Sequence, residues 1–153
     1  MNQPATTPPA DLPEMNLPLG AWLVAGPAAC AVVGGIGYGV SVALGASQPI
    51  SALYGGISGA IGVFLGALAV LPWIARPMNQ WASLLLGGQL FSFMATVGAG
   101  FVVWKATGAT PTPLGLTGAA AFLAAQLAQV VVFQSVAKPL EKQMRAERVE
   151  TGS

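Results

Sequence analysis

The sequence predicts an all-α integral membrane protein, a four-helix bundle with both termini on the cytoplasmic side. Hydrophobic residues make up 54% of the 153 residues and charged residues only 7%, whereas charged residues make up about 25% of a typical soluble domain. The apolar residues form four continuous runs, each long enough for a hydrocarbon core about 30 Å thick. This composition excludes an ordinary soluble enzyme domain, a disordered chain and a nucleic-acid binder with a basic face.

Four predicted membrane spans are separated by three short connections. We place the spans at residues 19–44, 50–74, 81–104 and 114–137. Glycine, proline and polar residues fill the connections, as is typical where helices end. The runs do not alternate between apolar and polar residues, which argues against a β-barrel. A tryptophan lies near a predicted helix end at four positions: Trp22, Trp73, Trp81 and Trp104. Tryptophan at such positions anchors helices at the membrane surface.

The two terminal segments differ in charge. Residues 1–16 form a proline-rich tail without Lys or Arg, unlike the basic start of a cleavable signal peptide. Residues 138–153 form a basic, amphipathic tail, in which Pro139 predicts a separate short helix at the membrane surface. Its basic residues are Lys138, Lys142, Arg145 and Arg148. With Arg76, five basic residues lie on the side of the termini and only Lys105 lies on the other, which predicts cytoplasmic termini.

Small residues recur at helical spacing in the first two spans. A helix-packing interface is predicted at six glycines: Gly55, Gly59, Gly62, Gly66, Gly35 and Gly39. The first four share one face of the second span, and the last two form a GxxxG pair in the first. Helices approach closely at such faces. The pattern leaves open whether the neighbouring helix belongs to the same chain.

Polar residues also share helix faces inside the predicted membrane region. An intramembrane polar cluster is predicted at five positions: Gln89, Ser92, Thr96, Gln126 and Gln129. Because an amide facing lipid is costly, we expect these side chains to point inward or toward a partner. One interpretation is a hydrogen-bond clamp between the third and fourth helices. The other is the lining of a pathway for a hydrated ion or small polar solute.

The residue types needed for catalysis are missing from the apolar region. From residue 17 to residue 140 there is no Asp, Glu or His, and the charged residues are Arg76, Lys105 and Lys138. A proton relay, a histidine-ligated haem, a zinc site and a Ser-His nucleophile all need such groups. We therefore expect no enzyme activity, no metal and no cofactor. Cys30, the single cysteine, is expected to be a small buried side chain.

The chain contains a weak internal similarity. A shift of 63 residues places Gly35-Ile36-Gly37-Tyr38 over Gly98-Ala99-Gly100-Phe101, and Gly55 over Gly118. A true repeat would relate the first helix to the third and the second to the fourth, as parallel repeats do in some transporters. Chance similarity between Gly- and Ala-rich helices is the alternative.

Three segments carry a resemblance to a known family. Ser51-Ala52-Leu53-Tyr54-Gly55-Gly56 opens the second span, Leu71-Pro72 closes it, and Gln129-Val130-Val131-Val132 lies in the fourth. With the four-helix layout, they resemble the ATP synthase protein I (I chain) family of small bacterial membrane proteins. The resemblance implies a role in assembling the membrane rotor ring. The family is also implied to carry divalent cations for the ring. It often has an acidic residue in its third helix, where the nearest polar residue here is Gln89, which weakens the cation-carrying role and leaves the assembly role open.

Three functions remain open after the sequence has been read. The first is a non-enzymatic accessory protein that packs against other membrane subunits and assists assembly, with ATP synthase rotor subunits as the partners implied by the resemblance. The second is a small oligomeric channel or carrier for an ion or polar solute. The third is a structural subunit of a larger energy-transducing membrane complex. For all three we expect the bacterial cytoplasmic (inner) membrane, contacts with the lipid bilayer and other helices, and no nucleic acid.

Overall fold

The computed structural model of the chain describes residues 14–15 and 17–151. The helices are α1 (Leu19–Ala43), α2 (Ile50–Ala69), α3 (Met78–Thr107) and α4 (Pro111–Thr151). The two short strands are β1 (Glu14–Met15) and β2 (Arg76–Pro77). All four helices are long and apolar enough to cross a membrane, which confirms the all-α class and the predicted number of spans. Most of the predicted N-terminal tail, residues 1–13 and 16, lies outside the described residues.

Helix α2 lies at the centre of the bundle. It packs against α1, α3 and α4, and α1 also packs against α4, whereas α3 and α4 share only a small contact. Every buried position of α2 except Val63 holds glycine, alanine or serine. Because these side chains are so small, three neighbouring helices can approach the α2 backbone closely.

Helix α2 ends at Ala69, earlier than the predicted end of the second span at residue 74. Leu71 adopts a left-handed backbone conformation with φ 52°. The next residue is Pro72, which disfavours helical geometry at the residue before it and has no N–H to donate. The chain therefore turns here and continues through an exposed Trp73 into β2.

An antiparallel strand pair joins the start of the described chain to the connection between α2 and α3. Glu14 of β1 lies opposite Pro77 of β2, and Met15 lies opposite Arg76. Two-residue strands are too short to show an alternating hydrophobic pattern, so the sequence did not predict them. The pair places the beginning of α1 beside the beginning of α3.

Two of the four tryptophans predicted at the membrane surface lie in the core instead. Trp22 is 3% exposed and Trp81 is fully buried. Both belong to a hydrophobic cluster at the end of the bundle that carries the strands, and the Trp81 Nε1–H donates to the Arg76 carbonyl at 3.3 Å. Both still lie near the start of a helix, as predicted, but they face other helices rather than lipid. Trp73 and Trp104 are exposed, as a position at the membrane surface predicts.

Helix α4 continues without interruption past the predicted end of the fourth span at residue 137. Pro139 lies inside this helix, so the separate surface helix predicted from it is not formed. The proline ring removes the hydrogen bond to the Ser135 carbonyl. Burial offsets part of that cost, because Leu140 packs against the core cluster that contains Trp22 and Trp81.

Candidate functional site

Four of the six glycines predicted to form a packing interface make contacts inside the bundle. Gly55 and Gly59 face α4, and Gly62 and Gly66 face α3. A Cβ atom built on Gly55 would lie only 2.8 Å from the amide nitrogen of Gly118. Any side chain at these positions would force two helices apart. This glycine face therefore holds the fold together, and a partner protein could not reach it.

The other two glycines lie on the outside of the bundle. A Cβ atom built on Gly35 or Gly39 would meet no atom within 4 Å. Their neighbour Gly34 points inward, where a Cβ atom would lie 3.2 Å from the α2 backbone. Gly35 and Gly39 are exposed together with Ala28 and Ala31, one to two turns earlier on the same side of α1. We call these four residues the α1 small-residue face.

The five predicted intramembrane polar residues do not form a common cluster. Ser92, Thr96 and Gln129 are buried, Gln126 is partly buried and Gln89 is exposed. The Thr96 hydroxyl donates to the Ser92 carbonyl at 2.9 Å, within α3. Both amide atoms of Gln126 are buried without a hydrogen-bond partner. Among the described hydrogen bonds, none from these five residues joins α3 to α4, so the structure does not show the predicted clamp.

Three of these residues meet at a small internal cavity. Gln89, Ser92 and Gln129 line it together with Trp22. Its volume is about 10 Å³, which is roughly the space of one water molecule. The Trp22 Nε1 and Ser92 Oγ atoms at this cavity have no hydrogen-bond partner. A space of this size gives no passage for a hydrated ion or polar solute in this conformation.

A groove of about 480 Å³ lies between α3 and α4. Ser58 of α2 forms part of its floor. Its walls include Phe93, Val97, Phe101, Trp104, Leu114 and Phe122. We call this space the α3–α4 groove. The three glutamines of the predicted polar cluster do not line it, so it differs from the pathway that the sequence suggested.

The 63-residue shift relates residues at the crossing of α1 and α2 to residues that line this groove. In the first helical hairpin, Gly34 of α1 and Gly56 of α2 touch, because a Cβ atom on Gly56 would lie 2.7 Å from the Gly34 Cα. The shifted positions in α3 and α4 are Val97 and Ala119, and both line the groove. Helices α3 and α4 have larger side chains at these positions and share only a small contact, whereas α1 and α2 pack closely.

The contact between Cys30 and Gly59 can be compared with the second hairpin by the same 63-residue shift. A Cβ atom on Gly59 would lie 3.4 Å from the Cys30 Sγ. The shifted positions are Phe122 and Phe93, whose rings meet edge to face with centroids 5.6 Å apart. Two small residues in the first hairpin thus correspond to two aromatic residues in the second. Both aromatic residues line the groove, and Phe93 lies near the middle of α3.

The connections after α1 and α3 match as well. Gly45 and Gly108 are related by the same shift, and both are left-handed, with φ 68° and 66°. A left-handed glycine is a common way to end a helix. Because such glycines are common, this match leaves both a true repeat and chance similarity open.

The basic residues lie at opposite ends of the bundle. The Lys105 ammonium lies 4.5 Å from the centre of the Trp104 ring and 5.8 Å from that of Phe101, at one end of the groove. Lys138, Lys142 and Arg145 are exposed on α4 at the other end, where they line a shallow depression of about 190 Å³. The side chain of Arg148, the fourth basic residue of the tail, lies outside the described residues.

Cys30 occupies the buried position expected from the sequence. Its thiol donates to the Ala121 carbonyl of α4 at 3.4 Å. Among the described residues, no group of three His, Cys, Asp or Glu side chains comes together to hold a metal ion. The sequence did not predict the α3–α4 groove. A signal was present, because the 63-residue shift pairs Val97, Ala119 and Phe122 with glycines of the first hairpin.

Comparison with known proteins gives no further assignment. No family model, no curated protein and no solved structure matches this chain.

Proposed function

We propose that this chain is a non-enzymatic membrane accessory protein that packs the outward side of α1 against a helix of another membrane subunit. One observation carries the proposal. Six glycines were predicted to form a packing interface, and of these only Gly35 and Gly39 lie on an open surface. The other four already contact α3 or α4 of the same chain.

The α1 small-residue face has the shape that close helix packing needs. Ala28, Ala31, Gly35 and Gly39 follow one another at helical spacing and are all exposed. Val32 and Val42 are exposed at neighbouring positions of α1. At the small residues beside them, two helix backbones can approach closely and gain dispersion contacts that lipid does not supply. Exposed small residues lower the packing of a lone helix with lipid, so a protein partner is the better occupant.

The distribution of charge supports a cytoplasmic location for both termini. Arg76, Lys138, Lys142 and Arg145 lie at the end of the bundle that carries the strands, and Lys105 lies at the opposite end. Basic residues accumulate on the cytoplasmic side of membrane proteins. We place the chain in the bacterial cytoplasmic membrane. The resemblance at residues 51–56 makes ATP synthase rotor subunits the first partners to test.

The proposal is tested by blocking the α1 small-residue face. Gly35→Leu/Gly39→Leu should abolish co-purification of the partner from native membranes in mild detergent, because the two side chains hold the helices apart. Gly87→Leu/Gly98→Leu is the matched control, since these α3 glycines are also exposed with nothing within 4 Å. Mass spectrometry of the purified complexes provides the readout. Retention of the partner by the first variant, or its equal loss from both variants, would show that the chosen face is wrong.

A further inference from the structure

We propose that the α3–α4 groove binds one acyl chain of an anionic phospholipid, and that Lys105 binds the phosphate of its headgroup. The groove lies between α3 and α4, away from the α1 small-residue face. The inference therefore stands independently of the proposed function.

The length of the groove matches one leaflet of a bilayer. Its α3 wall runs from Phe93 to Trp104, which is roughly 16 Å of helix at 1.5 Å per residue. Half of a hydrocarbon core about 30 Å thick is about 15 Å. The groove thus runs along the last part of α3 from Phe93, near the middle of this helix, where the rings of Phe93 and Phe122 meet. In a bilayer this length corresponds to one leaflet. A partner helix spanning the membrane needs twice this length, whereas a lipid chain needs only this much.

The walls of the groove suit a hydrocarbon chain. The two hydroxyl groups that line it belong to Ser58 and Thr96. Ser58 donates to the Tyr54 carbonyl at 2.8 Å and Thr96 donates to the Ser92 carbonyl at 2.9 Å. Because both hydroxyl donors are used within their own helices, neither requires a polar ligand. The volume of about 480 Å³ is within the range of small-molecule sites.

The outer end of the groove carries the positive charge that an anionic headgroup needs. Lys105 is the one charged side chain among the described residues at this end of the bundle. Its ammonium lies over the ring of Trp104, which also lines the groove. This contact holds the charge at the rim of the groove, at the depth where tryptophan marks the membrane surface. A phosphate bound there would place an attached acyl chain directly against the apolar walls.

Photo-crosslinking in vesicles tests this proposal. The full chain is reconstituted in phosphatidylcholine vesicles with phosphatidylglycerol that carries a diazirine on one acyl chain, and adducts are mapped by peptide mass spectrometry. We expect adducts concentrated on the groove walls. The same probe with a phosphatidylcholine headgroup should label the groove about fivefold less, the effect expected for one basic residue near an anionic surface.

Two variants separate the headgroup from the chain. Lys105→Gln should remove the preference for phosphatidylglycerol, whereas Lys138→Gln, at the other end of the bundle, should keep it. Gly115→Leu should fill the groove and remove its adducts, because Gly115 lines the groove and a Cβ atom there meets nothing within 4 Å. Gly98→Leu is its control on the outer side of α3. Equal labelling of the groove and of outward α1, or equal labelling by both headgroups, would overturn the proposal even if Gly115→Leu failed to fold.

Discussion

Replacing Gly56 with alanine should separate α1 from α2. The added Cβ atom would lie 2.7 Å from the Gly34 Cα and 3.0 Å from the Cys30 carbonyl oxygen. Both are backbone atoms, which cannot rotate away as the end of a side chain can, so the helices themselves must move. Gly35→Ala is the matched control. Gly35 follows Gly34 in α1 but points outward, and a Cβ atom there would meet nothing within 4 Å.

Two opposing effects determine the size of the change. Adding a methyl group to a packed interface costs about 1–3 kcal/mol, whereas replacing glycine by alanine inside a helix gains up to about 1 kcal/mol. For Gly56→Ala we expect a net loss of about 1–2 kcal/mol in the free energy of unfolding. For Gly35→Ala we expect no loss and a gain of up to about 1 kcal/mol.

The assay is unfolding of the purified protein by SDS in mild-detergent micelles, followed by circular dichroism and tryptophan fluorescence. Trp22 and Trp81 are buried, so their emission reports on loss of packing. The free energy of unfolding of both variants is compared with that of the unaltered chain. If Gly56→Ala were as stable as Gly35→Ala, the close contact between α1 and α2 would not exist.

Three further predictions follow from the packing. Ser92→Ala should leave the free energy of unfolding unchanged or raise it by up to about 1 kcal/mol, because the Ser92 hydroxyl is buried without a partner; a clear loss in the SDS titration would show a hydrogen bond there. Pro139→Ala should stabilise the chain by about 1–3 kcal/mol and leave the helix content unchanged, since Pro139 lies inside a continuous α4 and removes one of its hydrogen bonds; a rise in helix content would instead indicate that the helix is interrupted at Pro139. Gln126→Leu should raise the free energy of unfolding by about 1–3 kcal/mol, because both amide atoms are buried and unpartnered, and should leave ion flux in liposomes unchanged. A fall in flux would favour the channel hypothesis.

The number of helices could be predicted from the sequence because membrane spans depend mainly on local composition. The ends of the helices were harder to predict from the sequence. A proline is a helix-ending signal at both places. Pro72 follows the left-handed Leu71 just after the end of α2, whereas Pro139 lies within α4. The difference is tertiary: Leu140 packs against the core cluster beyond Pro139, whereas the chain beyond Pro72 turns away. Trp22 and Trp81 show the same limit, since position near a helix end did not reveal that both are buried.

The partner of each helix face could not be predicted from one sequence. The glycines of α2 contact α3 and α4 inside the bundle, but their spacing would be the same if the neighbour were another protein. The orientation of α1 decides the matter, because it turns Gly34 inward and Gly35 outward. The groove could not be predicted from the sequence either, since it depends on where Phe93 and Phe122 meet.

The most direct test of the proposed interface is site-specific cross-linking in native membranes. The photoreactive amino acid p-benzoyl-phenylalanine is placed at position 39 on the α1 small-residue face, and at position 98 on exposed α3 as the control. Neither position has an atom within 4 Å of its Cβ, so both tolerate the bulky group equally. We predict a discrete cross-link to another membrane subunit from position 39 and none from position 98. Cross-links from position 98 alone, or from neither position, would contradict a partner-binding role for α1.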